Sequence, residues 1–333
     1  MKAVLSALIE GEKLTQEESK NILIEIGQGE HNNSQISSLL SIIAYRGIVA
    51  EELAGFRDAL LELSVKPDMD NSNVIDIVGT GGDGKDTFNI STTSSFVVAG
   101  AGYKVTKHGN HGVSSSVGSS TVLEHLGVKF TNNTQLLNLF LEKAGICFFH
   151  APLFHPAMKQ VAPVRKELAI KTFFNMLGPL VNPIQPKNNL FGTYNLKVLK
   201  LYHEIMKPSG KSYCLVHAQD GYDEVSLTSN THAIFSDQKE QKEISTTDFG
   251  LTQWMPSELY GGGSVSVSAR LLLSILNNES TQAQKEVVIA NAALAIKVME
   301  PSKTLQDCVE IAKESLISGK AKNALDTLVE LSK

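Results

Sequence analysis

The fold is decided by residues 74–119, VIDIVGTGGDGKDTFNISTTSSFVVAGAGYKVTKHGNHGVSSSVGS. Val74, Ile75, Ile77 and Val78 form a short apolar run that stops at Gly79, the pattern of a buried parallel strand entering a glycine loop. Gly79-Thr80-Gly81-Gly82-Asp83-Gly84 has four glycines in six positions, so its backbone can take positive φ and its amides can reach a ligand unshielded by side chains. Asp86, Thr87, Asn89 and the hydroxyl run Ser91 to Ser95 follow. Phe96-Val97-Val98-Ala99 then resumes a helical pattern for which Ser91 or Thr92 is the expected N-cap. Strand, glycine loop and helix start together predict an anion site, because unpaired amides and the helix dipole face one point.

A single Gly-Gly pair would read more simply as a surface turn, but the hydroxyls and the helix start beside this one favour phosphate. Gly79-x-x-x-x-Gly84-Lys85 matches a P-loop for seven positions and fails at the eighth. There a P-loop places a Ser or Thr that reaches the metal, whereas Asp86 would repel a triphosphate. The loop is read as a phosphate site of another kind.

Outward from this stretch, residues 1 to about 70 read as four amphipathic helices. Thr15-x-x-Glu18 is a capping-box pattern ahead of Ile22, Leu23 and Ile26. Asn33 or Ser34 is the expected cap for Ile36, Leu39, Leu40 and Ile43, which end at Arg46-Gly47, and Leu53, Phe56, Leu60 and Leu61 mark the fourth helix. Helices this short need a partner for their stripes, either a later segment or another subunit. A polar linker, residues 67–73, leads into the first strand. Tyr103 to Thr106 is the second strand, opening into the loop Lys107-His108-Gly109-Asn110-His111-Gly112 beside the first loop, at the rim where open α/β sheets bind ligands. Lys107 is expected to face the phosphates.

Val113 to Ser120 reads as a further amide-rich turn before a helix over Thr121 to Gly127. Asn133 caps a helix with Leu136, Leu137, Phe140 and Leu141, and Gly145 to Phe149 is a strand, so strand and helix alternate as in a mostly parallel α/β sheet. Pro152, Pro156 and Pro163 mark an irregular stretch, and Leu168, Ile170, Phe173, Phe174, Met176 and Leu177 predict an amphipathic helix after Arg165. Leu190 to Tyr194 and Ser212 to His217 read as strands separated by a helix over Val198 to Met206. The second runs into Gln219-Asp220-Gly221-Tyr222-Asp223-Glu224, whose adjacent carboxylates at the same rim suit Mg²⁺, an ion of oxygen ligands that touches phosphate. A solvated turn is the plainer alternative. Thr231 to Phe235 predicts a strand, Asp237 to Glu243 a charged exposed loop, and Gly261-Gly262-Gly263 a hinge ahead of a helix over Val265 to Leu276. Helices over about Ser280 to Met299 and Leu305 to Ser318 are expected to close the chain, with Asn291 a satisfied buried amide.

With 333 residues and 42% hydrophobic composition, the chain can bury a full core. Its formal net charge of −5 argues against a nucleic-acid or anionic-membrane surface. Cys147, Cys214 and Cys308 are odd in number and widely spaced, as in reduced thiols. His108, His111, His150 and His155 lack the spacing of a zinc site. Early charge at the N-terminus and the lack of a long apolar run predict a cytoplasmic protein without membrane partner.

GTGGD with its following DTFNIST, KHGN, the Gly118-Ser119 turn, Arg165 ahead of FFNMLGPLVNP, VHAQDGYDE and NAAL together resemble the anthranilate phosphoribosyltransferases over nearly the whole chain. The resemblance implies an α/β fold class in which a small all-helical domain joins a larger α/β domain with a mostly parallel central sheet. The helical domain would take residues 1–70 plus about 163–186, and the α/β domain 73–162 plus about 187–333, with a cleft between them and a homodimer formed through the helical part. Members transfer the phosphoribosyl group of phosphoribosyl pyrophosphate (PRPP) to the amine of anthranilate in tryptophan biosynthesis. By resemblance Gly79, Gly82, Asp83, Thr87, Asn89, Ile90, Ser91, Thr92, Lys107, His108, Gly109, Asn110 and Ser119 would hold PRPP. Gly79, Asn110 and Arg165 would contact anthranilate, and Ser91, Asp223 and Glu224 would bind Mg²⁺.

No acid, base or covalent nucleophile of the usual kind is called for, so Lys107, Asn110 and Arg165 would act by positioning. Departures from the family pattern are His111 and Lys171, where Arg is usual, and Thr121, where an acidic residue is common. The rivals are a pyrimidine nucleoside phosphorylase of the same architecture and a non-enzymatic nucleic-acid-binding relative. The second should be basic and lack the carboxylate pair.

Overall fold

Four short amphipathic helices open the computed structural model, which describes residues 1–112, 117–238 and 240–333. They are α1 (Lys2–Ile9), α2 (Gln16–Gly27), α3 (Asn33–Arg46) and α4 (Ala50–Glu62). The Thr15–Glu18 capping box starts α2. The cap of α3 is Asn32, one residue before the expected pair, because its Oδ1 accepts the Gln35 amide at 3.0 Å. Gly47, at φ 81°, stops this helix. Glu52 on α4 is fully buried, accepting the Leu14 amide at 2.9 Å and pairing with Arg46. Helices α2 and α4 pack closely through Gly55, where a Cβ would lie 2.2 Å from the Gln16 carbonyl oxygen.

The chain divides into two units, Met1–Lys66 with Ala151–Pro183, and Pro67–His150 with Ile184–Lys333. The return to the helical unit thus begins at Ala151, ahead of the expected 163. The reason is that the Val65 amide donates to Phe154 O at 2.8 Å, while the helix Met158–Leu168 packs on α2 and α3. That helix carries Arg165 in its last turn and admits Pro163 within it. The helix expected after Arg165 does not form. Ala169 turns left-handed at φ 52°, and 3₁₀ turns at Phe173–Met176 and Gly178–Val181 bury the apolar residues instead, with Phe173 stacked on Phe56 at 4.1 Å between centroids.

The α/β unit begins with β1 (Val74–Gly79), α5 (Ile90–Gly100), β2 (Lys104–Gly109), α6 (Ser119–His125), α7 (Thr134–Lys143) and β3 (Ile146–His150). Counting the two return helices, Ala151–Phe154 and Met158–Leu168, as α8 and α9, the unit resumes at β4 (Asn188–Gly192). It continues through α10 (Leu196–Met206), β5 (Ser212–Ala218), β6 (Thr231–Phe235), β7 (Lys242–Ile244) and α11 (Thr246–Phe249). Helices α12 (Val265–Leu276), α13 (Gln282–Met299), α14 (Leu305–Ile317) and α15 (Lys320–Leu331) complete it. The seven-stranded sheet has the order β3-β2-β1-β4-β5-β6-β7, parallel through β5 and antiparallel beyond.

Strand β2 runs further than Thr106 because Lys107, His108 and Gly109 pair with Phe148, Phe149 and His150. Part of the expected exposed loop after Asp237 is the edge strand β7, paired with β6. The expected amide-rich turn at Val113 to Ser120 falls partly outside the described residues, which omit 113–116. From Ser119 it is already helix α6. Helix α15 was not expected, although Ala321, Ala324, Leu325 and Leu328 form its buried stripe. Together α13, α14 and α15 bury α5, and most of the hydroxyl run serves that packing. Thr93 and Ser95 bond to carbonyls one turn back, and Ser94 donates to Val288 O at 3.0 Å.

Candidate active site

Strand order reverses between β1 and β4, the point in an open parallel sheet where a crevice opens beyond the carboxyl ends of the strands. Both strands end in glycine there, and Gly79 and Gly192 are register partners. What fills the space is Asp223. A Cβ on Gly79 would lie 2.3 Å from its Oδ2, and one on Gly192 would lie 1.5 Å from its carbonyl oxygen. The sequence signalled Gly79 through its loop; nothing local marked Gly192, whose bareness serves a segment across the sheet.

The loop leaving β1 has Gly81, Gly82 and Gly84 at positive φ, and Asp86 as well at 49°. Asp83 accepts the Lys85 amide at 3.1 Å, and Lys85 stacks its ammonium 4.7 Å from the Tyr222 ring centroid, so loop and acidic turn lean on each other. Thr87 bridges to Tyr260, and the Asp86 carbonyl accepts the Gly261 amide at 2.8 Å. The N-cap of α5 is Asn89, not Ser91 or Thr92. Its side chain donates to Val117 O at 3.3 Å instead of capping, and Ile90 is buried.

The α5 amides are served from far along the chain. Glu224 Oε1 accepts the Ser91 amide at 2.9 Å, and Asp223 Oδ2 accepts the Gly81 amide at 2.6 Å. Two carboxylates therefore sit on the amides that the sequence assigned to an anion. Burial raises both carboxyl pKa values; the negative charge of Asp83 adds to the effect on Asp223, and that of Asp223 to the effect on Glu224. The hydroxyl of Thr92 is buried without a hydrogen-bond partner among the described residues.

Lys107 lies on strand β2, 2% exposed, and donates to the Ile77 carbonyl and, at 3.5 Å, to Ser91 Oγ. Burial lowers its pKa to about 8, against the attraction of Asp76, Glu224 and Asp223. Asp76 is fully buried and accepts the His108 amide at 3.2 Å. It escaped notice in the sequence, where its one signal was a carboxylate inside an apolar strand. His108 is buried, and Gly109 leaves room for Ser119, whose Oγ would lie 2.4 Å from an added Cβ. Asn110 is exposed; its carbonyl accepts the Ser120 amide at 3.2 Å, tying the KHGN loop to the start of α6.

Two departures from the family pattern meet here. His111 Nδ1 is hydrogen-bonded to Thr121 Oγ1 at 3.1 Å and lies 3.8 Å from Glu124 Oε2. The His111 ring also meets His150 edge-on at 4.9 Å, and His150 bonds Ser120 Oγ at 2.8 Å. Among the described residues no three His, Cys, Asp or Glu side chains converge on a metal position.

In the helical unit, Arg165 is half-buried with its guanidinium 5.1 Å from the Phe174 ring centroid. Burial lowers its pKa, and no carboxylate pairs with it among the described residues.

Residues 71–322 match the model of the glycosyl transferase family a/b domain, and residues 2–64 that of its helical bundle domain. The chain is 50% identical to the anthranilate phosphoribosyltransferase of Flavobacterium psychrophilum, with all of both chains covered. Among solved structures, the anthranilate phosphoribosyltransferase of Thermus thermophilus superposes with a TM-score of 0.90 at 31% identity, covering 98% of each chain. That of Saccharomyces cerevisiae in complex with PRPP and Mg has the same TM-score at 25% identity, covering 100% of this chain and 98% of its own. The glycine pair at the switch point, the acidic turn above it and these likenesses along the full chain converge: the chain belongs to the anthranilate phosphoribosyltransferase family.

Proposed function

We propose that the chain transfers the phosphoribosyl group of PRPP to the amine of anthranilate, giving N-(5-phosphoribosyl)anthranilate and pyrophosphate in tryptophan biosynthesis, with Mg²⁺ as its metal. The observation that carries this reading is the pair Asp223 and Glu224, two carboxylates of raised pKa seated on the Gly81 and Ser91 amides at the switch point. Carboxylates crowded this way suit a divalent cation shared with phosphate oxygens, and two side chains plus substrate are the donor set Mg²⁺ commonly takes. Ser91, whose hydroxyl lies 3.5 Å from Lys107 Nζ, joins them as third ligand. When bound, the ion neutralises charge on the departing pyrophosphate.

PRPP is held by Gly79, Gly82, Asp83, Thr87, Asn89, Ile90, Ser91, Thr92, Lys107, His108, Gly109, Asn110 and Ser119. The loop amides and the unpartnered Thr92 hydroxyl donate to phosphate, and Lys107 adds a buried positive charge. Arg165, carried by the helical unit and lacking an acidic partner, receives the anthranilate carboxylate in its planar fork. Gly79 and Asn110 are the other residues proposed for anthranilate. The carbon–oxygen bond to pyrophosphate breaks as the carbon–nitrogen bond forms. The aromatic amine arrives unprotonated and gives up one proton, to the departing pyrophosphate or to water, as the new bond forms, so orientation and charge stabilisation suffice.

Ile9 on α1 and Tyr45 on α3, 74% and 95% exposed, support a homodimer through the helical unit. The net charge of −5 offers nothing to nucleic acid. No helix among the described residues is long and apolar enough to cross a membrane, and three buried unpaired cysteines suit a reducing cytoplasm. The retained carboxylate pair disfavours the nucleic-acid-binding relative, and the likenesses disfavour the phosphorylase.

The test is loss of anthranilate fluorescence on mixing with PRPP, Mg²⁺ and protein; no loss from folded protein refutes the activity. Arg165→Ala should chiefly raise the KM for anthranilate, and an unchanged KM refutes its role.

A further inference from the structure

Between Val287 and Ile296 helix α13 is a buried run of Val, Ile, Ala and Leu. One primary amide interrupts it. Asn291 is 3% exposed, and a polar side chain in such surroundings is costly unless each of its atoms is matched. All of them are. Nδ2 donates to Val287 O at 2.9 Å, one turn back on the same helix, and to Val225 O at 2.8 Å, while Oδ1 accepts the Val225 amide at 3.1 Å.

The helix bond fixes the rotamer, and the other two hold both backbone polar groups of a single residue, as an adjacent strand would. Val225 directly follows Glu224. The far end of the turn has its own anchor, Asp220, which accepts the hydroxyls of Thr228 and of Ser229, the latter at 2.8 Å. Between the two anchors stand Asp223 and Glu224 on the Gly81 and Ser91 amides.

We infer that Asn291 is a positioning residue for the carboxylate pair, holding the backbone after Glu224 so that both carboxylates meet a divalent cation together with pyrophosphate oxygens; this rests on the proposed metal role of Asp223 and Glu224. Only a primary amide presents two donors and an acceptor in one plane at this reach. Asp in its place would set a carboxylate against the Val225 and Val287 carbonyls. Ala would leave the Val225 amide and carbonyl buried and unmatched, freeing the turn to shift.

The probe is Mn²⁺ titrated into the protein with inorganic pyrophosphate, bound ion being read by electron paramagnetic resonance. In Asn291→Ala, folded by circular dichroism, affinity should fall by roughly 10–100-fold, the usual cost of losing a group that orients a metal ligand. Turnover should recover as Mg²⁺ is raised, with the KM for anthranilate unchanged. Wild-type affinity, or a fall in kcat that added Mg²⁺ does not relieve, would overturn the inference. Glu224→Gln separates this from the underlying reading: if it binds Mn²⁺ like the wild type, the metal assignment itself fails. Should Asn291→Ala not fold, Asn291→Asp, which keeps the shape and the acceptor, is read in the same way. Failure of both to fold would make Asn291 a core residue and overturn the proposal.

Discussion

Gly192→Ala perturbs the acidic turn without removing any polar group. The added Cβ would stand 1.5 Å from the Asp223 carbonyl oxygen and 2.7 Å from its carbonyl carbon, both backbone atoms, so no rotamer relieves the clash. To reach even 3.0 Å, the shortest approach real Cβ atoms tolerate, the turn must recede by about 1.5 Å, since strand β4 is locked between β1 and β5. That distance exceeds the slack in the 2.6 Å and 2.9 Å bonds to the Gly81 and Ser91 amides. Hydrogen bonds to charged groups contribute roughly 1.5–3 kcal/mol each, so losing both costs about 3–6 kcal/mol, divided between stability and the bound state. A misplacement of about 1 Å near reacting groups can by itself cost about 100-fold in rate.

The variant should therefore denature at lower urea and, where still folded, show kcat reduced by about 100-fold or more with a raised Mg²⁺ requirement. Gly178→Ala is the control, because nothing lies within 4 Å of its Cβ. Near-wild-type turnover and Mg²⁺ dependence in folded Gly192→Ala would refute the claim that the two glycines exist to seat Asp223.

Two further outcomes follow from the same geometry. Burial, and then the neighbouring His111, hold the His150 pKa down to about 4, whereas the unfolded chain titrates near 6.5. The unfolded state therefore takes the proton first, and stability falls by about 1–3 kcal/mol as pH drops from 6.5 toward 4. Urea midpoints at pH 7 and pH 5 should differ less in His150→Phe than in the wild type, and equal differences would remove His150 as the cause. Tyr45→Glu, which places charge on the exposed face of α3, should convert the proposed dimer to monomers by light scattering; a dimer that persists excludes that face.

What the sequence conveyed, and what it withheld, divides along one physical line. Apolar periodicity reports which face of a segment is buried, and it located the four N-terminal helices and six of the seven strands, because each of those patterns is complete within about a dozen residues. Loop chemistry is also local, so the glycine loop and the Asp223–Glu224 turn were each legible. Their relation was not. The Gly81 amide meets its carboxylate at a separation of 142 residues and the Ser91 amide at 133. No local pattern says that the helix α5 amides would be met by Glu224 and not by a hydroxyl of their own segment. The same holds for Gly192, bare for the sake of a distant carbonyl, and for Asp76, buried and accepting the His108 amide. Asn291 was legible as a satisfied amide but not as the clamp on Val225. A residue at the switch point answers to whatever its neighbours across the sheet require, so its identity follows from strand order and not from its own surroundings in the chain. Deeper reading of such a site from sequence would have to begin with the pairing of β1 and β4, which sets Gly79 beside Gly192 and leaves, above them, space for one turn of backbone carrying two carboxylates.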